Sequence, residues 1–126
     1  AENEELTKDL QLLKIWLKLI GDKYGAREQY FRHEQAAHAL PPPFRFTETE
    51  SNLRLYCMRV SENAVILFSG DVKTAATAQQ CPNVKPYFEE ALRLTKKIDE
   101  AMRERRIQTH WITGKLIIDP DFTIEM

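Results

Sequence analysis

The chain has little of what most enzyme signatures are built from. Four glycines in 126 residues do not make a phosphate-cradling nucleotide loop, and no G-x-S-x-G elbow occurs for a serine nucleophile. Cysteine and histidine are almost as scarce: Cys57, Cys81, His33, His38 and His110 are all there are. The cysteines lack C-x-x-C spacing and enough histidine company, so no zinc-ligand cluster, metal or other cofactor is expected, and both thiols are expected to be reduced. No apolar run approaches the ~18 residues of a membrane span, and no basic-then-apolar signal pattern opens the chain. A cytoplasmic protein without membrane contact is the expectation. The first residues, AENEEL, include no methionine, as in a chain trimmed at its start or matured by loss of a leader.

A strong charge of either sign is missing too. The formal net charge is −1, which argues against a strongly basic nucleic-acid binder. Its distribution is uneven: residues 51–110 carry ten basic and seven acidic side chains, while both flanks are acidic on balance. That mild central excess is compatible with a phosphate-facing surface.

What the chain does have is apolar patterning. At 43% hydrophobic it suits one domain over residues 1–126, able to bury about two-thirds of its unfolded surface. Leu6, Leu10, Leu13, Leu17 and Ile20 recur at helical spacing across residues 4–20, with Gly21 as the stop. Leu12, Ile15, Trp16 and Leu19 widen that stripe, so the helix is either wedged between two layers or offers a face to a partner. The next stretch, GAREQYFRHEQAAHAL, is rich in helix formers, yet Glu28, Tyr30 and Arg32 alternate with Gln29, Phe31 and His33 as in a strand; both readings stand. Pro41, Pro42 and Pro43 impose an extended connection to Phe44 and Phe46, either a stiff loop or a ligand for an SH3-type module.

Two strands are predicted at about 53–60 and 64–69, joined by the polar turn Ser61-Glu62-Asn63-Ala64. Alternation puts Leu53, Leu55, Cys57 and Arg59 on one face and Arg54, Tyr56, Met58 and Val60 on the other. Ala64-Val65-Ile66-Leu67-Phe68 is apolar throughout, as in a central strand covered on both faces, and Gly70 breaks it. A second helix is predicted from roughly Lys85 to Arg106, with Pro86 in its first turn and Phe88, Ala91, Leu92, Thr95, Ile98 and Met102 as its apolar stripe. Glu89–Arg93 and Asp99–Arg103 have the spacing of helical ion pairs. The tail predicts a strand at Leu116–Ile118, a turn at Asp119-Pro120-Asp121 and one more edge strand through Phe122 and Ile124. The whole reads as α+β, with helices packed on a small antiparallel sheet.

Cleavage of RNA is one chemistry that needs little machinery. The substrate supplies its own 2′-hydroxyl, and the protein adds a base, an acid and cations to hold the phosphorane. Arg54, Tyr56, Arg59 and Lys73 are candidates, the cations as a phosphate clamp and Tyr56 as a stacking platform or proton donor. The structural alternative is that Tyr56 packs under a helix and the arginines cap the sheet edge. Arg32-His33-Glu34 is the one imidazole with charged neighbours on both sides, to be weighed against a plain surface histidine.

The segments LKLIGDKYGAREQYFRHE and LRLYCMRVSENAVILFSG, then DVKTA, the helix EEALRLTKKIDEAMRE and the tail GKLIIDPDF resemble the RelE/ParE toxin superfamily. More narrowly, they resemble a group of uncharacterised RelE-like proteins of gut bacteria. The resemblance spans most of residues 17–122. It implies a RelE-like fold, a partner antitoxin that wraps the toxin and, in the RNA-cleaving branch, a metal-independent endoribonuclease acting on mRNA at the ribosome. Carried onto this chain, it places Arg54, Tyr56 and Arg59 on a sheet strand, Lys73 in the turn after the next strand and Arg27 in the preceding GARE element, as candidate phosphate-binding side chains without an identified acid and base. Arg54 and Tyr56 are taken as the catalytic candidates and Arg27, Arg59 and Lys73 as the phosphate ligands. Lys73-Thr74 stands where relatives carry a lysine pair. A second reading keeps the fold without the chemistry: a non-enzymatic protein-interaction module that binds a partner protein, or forms a homodimer, through the exposed side of the Leu6–Ile20 helix.

Overall fold

The structure, a computed structural model, describes residues 2–43, 51–74 and 80–124. Helix α1 (Glu2–Leu19) runs into a π turn at Ile20–Tyr24, so the chain passes through Gly21 instead of stopping there. The stop is Gly25, whose φ of 76° is left-handed and whose N–H donates to Ile20 O at 3.0 Å. A side chain at that position would be strained.

The GARE stretch resolves as a 3₁₀ turn, Glu28–Tyr30, followed by strands β1 (Arg32–Glu34) and β2 (Ala37–Leu40). Helix propensity loses here because β2 pairs along the long strand β3 (Leu53–Ser61), and tertiary pairing outweighs tenths of a kcal/mol per residue. Pro41 and Pro42 are buried. The Arg32 guanidinium donates to both of their carbonyls, Nε to Pro41 O at 3.0 Å and Nη2 to Pro42 O at 3.3 Å. A ligand for an SH3-type module must present its proline rings, so the run is a stiff connection. Phe44 and Phe46 lie outside the described residues.

β1, β2, β3 and β4 (Ala64–Val72) form one antiparallel sheet in that order. The expectation of a central, doubly covered β4 is corrected: β4 is the edge, Leu67 is 49% exposed, and β3 holds the middle. An apolar run makes a strand but does not count its neighbours. β3 has two because hairpin-like partners both precede and follow it. β4 also continues through Gly70 to Val72 instead of ending there.

The alternation along β3 sorts the core into two layers. Leu53 and Cys57 face α1, where Leu13, Trp16 and Ile20 pack with Phe31 and Leu40. Tyr56 and Met58 face helix α2 (Lys85–Arg103), which lays Phe88 and Ala91 over Ala37, Ala39 and Tyr56, and Ile98 and Ala101 over Met58. Each large apolar side chain so covered contributes about 1.5–3 kcal/mol. The fold is α+β, with helices on an antiparallel sheet.

α2 ends three residues before the expected Arg106, because Arg105 turns the chain at φ 63° and Ile107 opens β5 (Ile107–Thr109). Asp99 and Arg103 pair at 2.9 Å, while Glu89 lies 4.0 Å from Lys85. The tail does not close the main sheet: β6 (Leu116–Ile118) pairs with β5 in a separate two-stranded sheet. Phe122 and Ile124 make no strand but pack against the cluster of Ile98, Ala101 and Ile107, with the Arg106 guanidinium 5.0 Å over the Phe122 ring. Among the described residues no helix is long and apolar enough to cross a membrane.

Both cysteines are free and buried, and they bias stability in opposite pH ranges. Burial pushes the Cys57 thiol from 9.0 up to about 12. The folded state therefore holds that proton more tightly than the unfolded chain. Its contribution is complete below pH 9 and drains away as pH rises toward 12. Cys57→Ala is expected to start less stable than wild type at pH 8. The gap should then narrow by about 1.4 kcal/mol per pH unit above pH 9, read from urea unfolding at several pH values. A gap that stays constant to pH 10.5 would contradict this. Cys81 is shifted the other way, to about 6, because Thr74 Oγ1 at 3.4 Å and Thr74 N–H at 3.2 Å favour the thiolate over the opposing effect of burial. Its contribution is present above pH 9 and is lost as pH falls through 6.

Candidate functional site

The five residues expected to carry function are split between two faces and two ends of the sheet. Arg54 is only 5% exposed, on the α2 side, and its Nη1 donates to Ser51 O at 2.6 Å and Leu53 O at 2.9 Å. Tyr56 is fully buried under α2, its ring 5.9 Å from that of Phe88 and packed with Ala37, Ala39 and Val84. Burial first, then the negative charge of Glu34, pushes the phenol up to about 12. As placed, Tyr56 is neither a stacking platform nor an accessible proton donor, and Arg54 is turned back onto its own strand. The open sheet surface expected around this pair is corrected: α2 covers it because alternation that points Tyr56 away from α1 points it into the second core.

Arg59 lies on the opposite, α1 side, half-buried, where its Nε donates to Ala26 O at 2.6 Å. Arg27 is the next residue after Ala26 and is exposed, so Arg59 reaches the backbone beside it. Lys73 does not join them. Its N–H donates to Asn52 O at 2.6 Å, at the start of β3, which puts it about 20 Å along the strand from Arg59.

What shares the face with Arg59 is a pair of histidines. Ala37 and Ala39 point into the α2 core, so His38 between them points the other way. His38 stands opposite Cys57 on β3 and opposite His33 on β1. Directly opposed residues project to one face, and the two imidazoles meet with ring centroids 5.1 Å apart. The Phe31 ring meets His38 edge-on at 5.9 Å. Glu28 closes the group: its carboxylate and a nitrogen of each imidazole all lie within 4.8 Å of one another.

The loop that delivers Glu28 is held at several points. Trp16, Tyr24 and Tyr30 form an aromatic cluster with centroids 5.4–6.1 Å apart, pinning the loop to α1. The Ala26 N–H donates to Glu62 O at 2.7 Å, tying it to the β3–β4 turn. Glu28 and His33 are exposed and His38 is half-buried. Both ring nitrogens of His38 are shielded from solvent and have no hydrogen-bond partner among the described residues. Burial first, then the positive potential of His33 and Arg59, lowers the His38 pKa, with Glu28 opposing.

Such a group can move protons, bind an anion through Arg27 and Arg59, or donate three ligand atoms to a cation. A cleft of about 310 Å³ opens beside it between α1 and the β3–β4 turn, but its lining is mainly Leu17, Ile20, Phe31, Leu40 and Val65. Glu62 and Asn63, at the turn, supply its polar side chains. No protein-family model, no curated protein and no solved structure matches the chain.

His33 was weakly legible in the sequence, through its charged neighbours. His38 was missed, though a signal existed: histidines five apart across a two-residue turn face each other in a hairpin. Glu28 had no local signal, since only the 3₁₀ turn and the anchored loop bring it there.

Proposed function

We propose that this chain is a RelE-like toxin-type protein, the cytoplasmic toxin of a toxin–antitoxin pair that cuts mRNA on the ribosome, with its chemistry at Glu28, His33 and His38 instead of at Arg54 and Tyr56. The observation that supports this reading is the convergence of two imidazoles and a carboxylate on the sheet face that also carries Arg59. His33, the exposed imidazole, accepts the 2′-hydroxyl proton, directly or through a water, and returns it to the departing 5′-oxygen, while His38, whose ring nitrogens are shielded, stands beside it with ring centroids 5.1 Å apart. Arg27 and Arg59 oppose the charge that builds on the phosphorane. Glu28 orients the imidazoles and stabilises whichever is cationic.

Induced expression is expected to arrest growth and cleave mRNA. His33→Ala, at an exposed position, should lower cleavage by about 10²–10⁴-fold, the usual worth of a general acid or base. Arg27→Ala should weaken RNA binding roughly tenfold, as expected for one charge-assisted phosphate contact. Normal growth with intact RNA at full expression, or full cleavage by His33→Ala, would sink the reading.

The interaction-module reading is favoured by a different observation. Leu6 and Leu10 prolong the stripe that Leu13, Leu17 and Ile20 carry into the core, yet they are 37% and 42% exposed. Trp111 and Ile112, between β5 and β6, are 88% and 68% exposed. Apolar rows of this kind suit an antitoxin, or a second copy docking along α1. Leu6→Glu with Leu10→Glu should dissolve such a complex in light-scattering measurements without lowering the unfolding midpoint by more than a few degrees.

A further inference from the structure

We propose that Glu28, His33 and His38 form a binding site for one transition-metal ion of the zinc class, with at least one coordination position left to solvent or to an anionic ligand. Two imidazoles and a carboxylate are the three-ligand set of open zinc centres and of facial-triad sites for other divalent first-row ions. Hard ions such as magnesium are disfavoured by two nitrogen donors. The inference goes beyond RNA cleavage and does not depend on it.

Three independent observations converge. The first is position: the donor atoms already lie within 4.8 Å of one another. Ligand atoms at about 2.0–2.2 Å from a shared zinc ion stand somewhat over 3 Å apart, so modest rotations about side-chain bonds close the set. The second is scaffold: His33 and His38 are register partners in a hairpin, and Glu28 leaves a loop fastened to α1 and to the β3–β4 turn. The backbone need not reorganise to bring the three together. The third is His38 itself, whose two ring nitrogens are shielded from solvent yet lack a hydrogen-bond partner among the described residues. A buried imidazole without a partner is unusual among folded proteins, and coordination is one arrangement that satisfies it.

Exposure of Glu28 and His33 leaves the site open on the solvent side. That is the arrangement of centres that bind or activate a further ligand, unlike the closed four-residue sets of structural zinc. Arg59 lies on the same sheet face as His38, so its charge opposes a dication there but would hold an anion bound to it. An ion on both imidazoles also takes the lone pairs that proton transfer needs, so zinc is expected to inhibit metal-free RNA cleavage.

The test uses the full chain without a histidine tag, dialysed against zinc with metal content measured afterwards, and cobalt absorption as a second readout. One ion per chain is expected. Glu28→Gln and His33→Ala, both exposed and safe for folding, should each weaken binding at least tenfold, while His110→Ala should leave it unchanged. No stoichiometric zinc, or equal binding by Glu28→Gln and His33→Ala, overturns the proposal. Zinc binding is measured without RNA and cleavage is measured with chelator, so either inference can fail while the other stands.

Discussion

Tyr56→Ala is expected to lower stability by about 3–5 kcal/mol, the cost of emptying a large aromatic site in a packed interior. The ring is fully buried between the sheet and α2, in contact with Phe88 and the small residues Ala37 and Ala39, which leave nothing large enough to fill the space. Tyr56→Phe should behave in the opposite way. The hydroxyl is buried with no hydrogen-bond partner among the described residues. Removing it deletes an unmet desolvation cost and should leave stability unchanged or raised by about 1 kcal/mol. The pair separates two roles for this residue. If Tyr56→Phe kept its urea midpoint but lost growth arrest, the hydroxyl would have to act in chemistry and the buried placement would be wrong. If both variants fail only through stability, Tyr56 is a core residue.

Gly70→Ala should be nearly as damaging, at about 3 kcal/mol or more, from overpacking together with lost ladder hydrogen bonds. A Cβ built at Gly70 would stand 1.7 Å from Arg54 O and 2.7 Å from Arg54 C, both backbone atoms that no side-chain rotation can clear. The strands would have to part where Leu55 faces Gly70 and Arg54 faces Asp71, beside the register shift between Leu55 and Cys57. The control is Gly21→Ala, where nothing among the described residues lies within 4 Å. That change should stabilise by about 0.5–1 kcal/mol through the unfolded state. Hydrogen exchange along β3 and β4 would show whether the loss at Gly70 is confined to that ladder; an unchanged unfolding midpoint for Gly70→Ala would contradict the close approach.

The same alternation that made Arg54 and Tyr56 conspicuous in the sequence is what removed them from the surface. Period-two patterning says that the two share a face, and this is correct. It says nothing of whether that face is open, because cover comes from α2, about thirty residues later in the chain. Arg59 and Arg27 show the reverse. They are 32 residues apart in sequence, and a single hydrogen bond from Arg59 to Ala26 brings Arg59 to the backbone beside Arg27.

For this protein, local sequence determined what local energetics can determine. Apolar spacing specified α1, α2 and the β3–β4 hairpin, because a stripe or an alternating face is set within a few residues of itself. The α+β class followed from their order. Tertiary structure alone decided that GAREQYFRHE becomes a turn and a strand, that β3 and not β4 is central, and that the tail pairs with Ile107–Thr109. It also decided the candidate site. His33 and His38 meet only once β1 and β2 pair, and Glu28 reaches them only when packing against α1 and the β3–β4 turn places its loop. Contacts across such distances depend on the summed packing of the chain, and no window of sequence contains that sum.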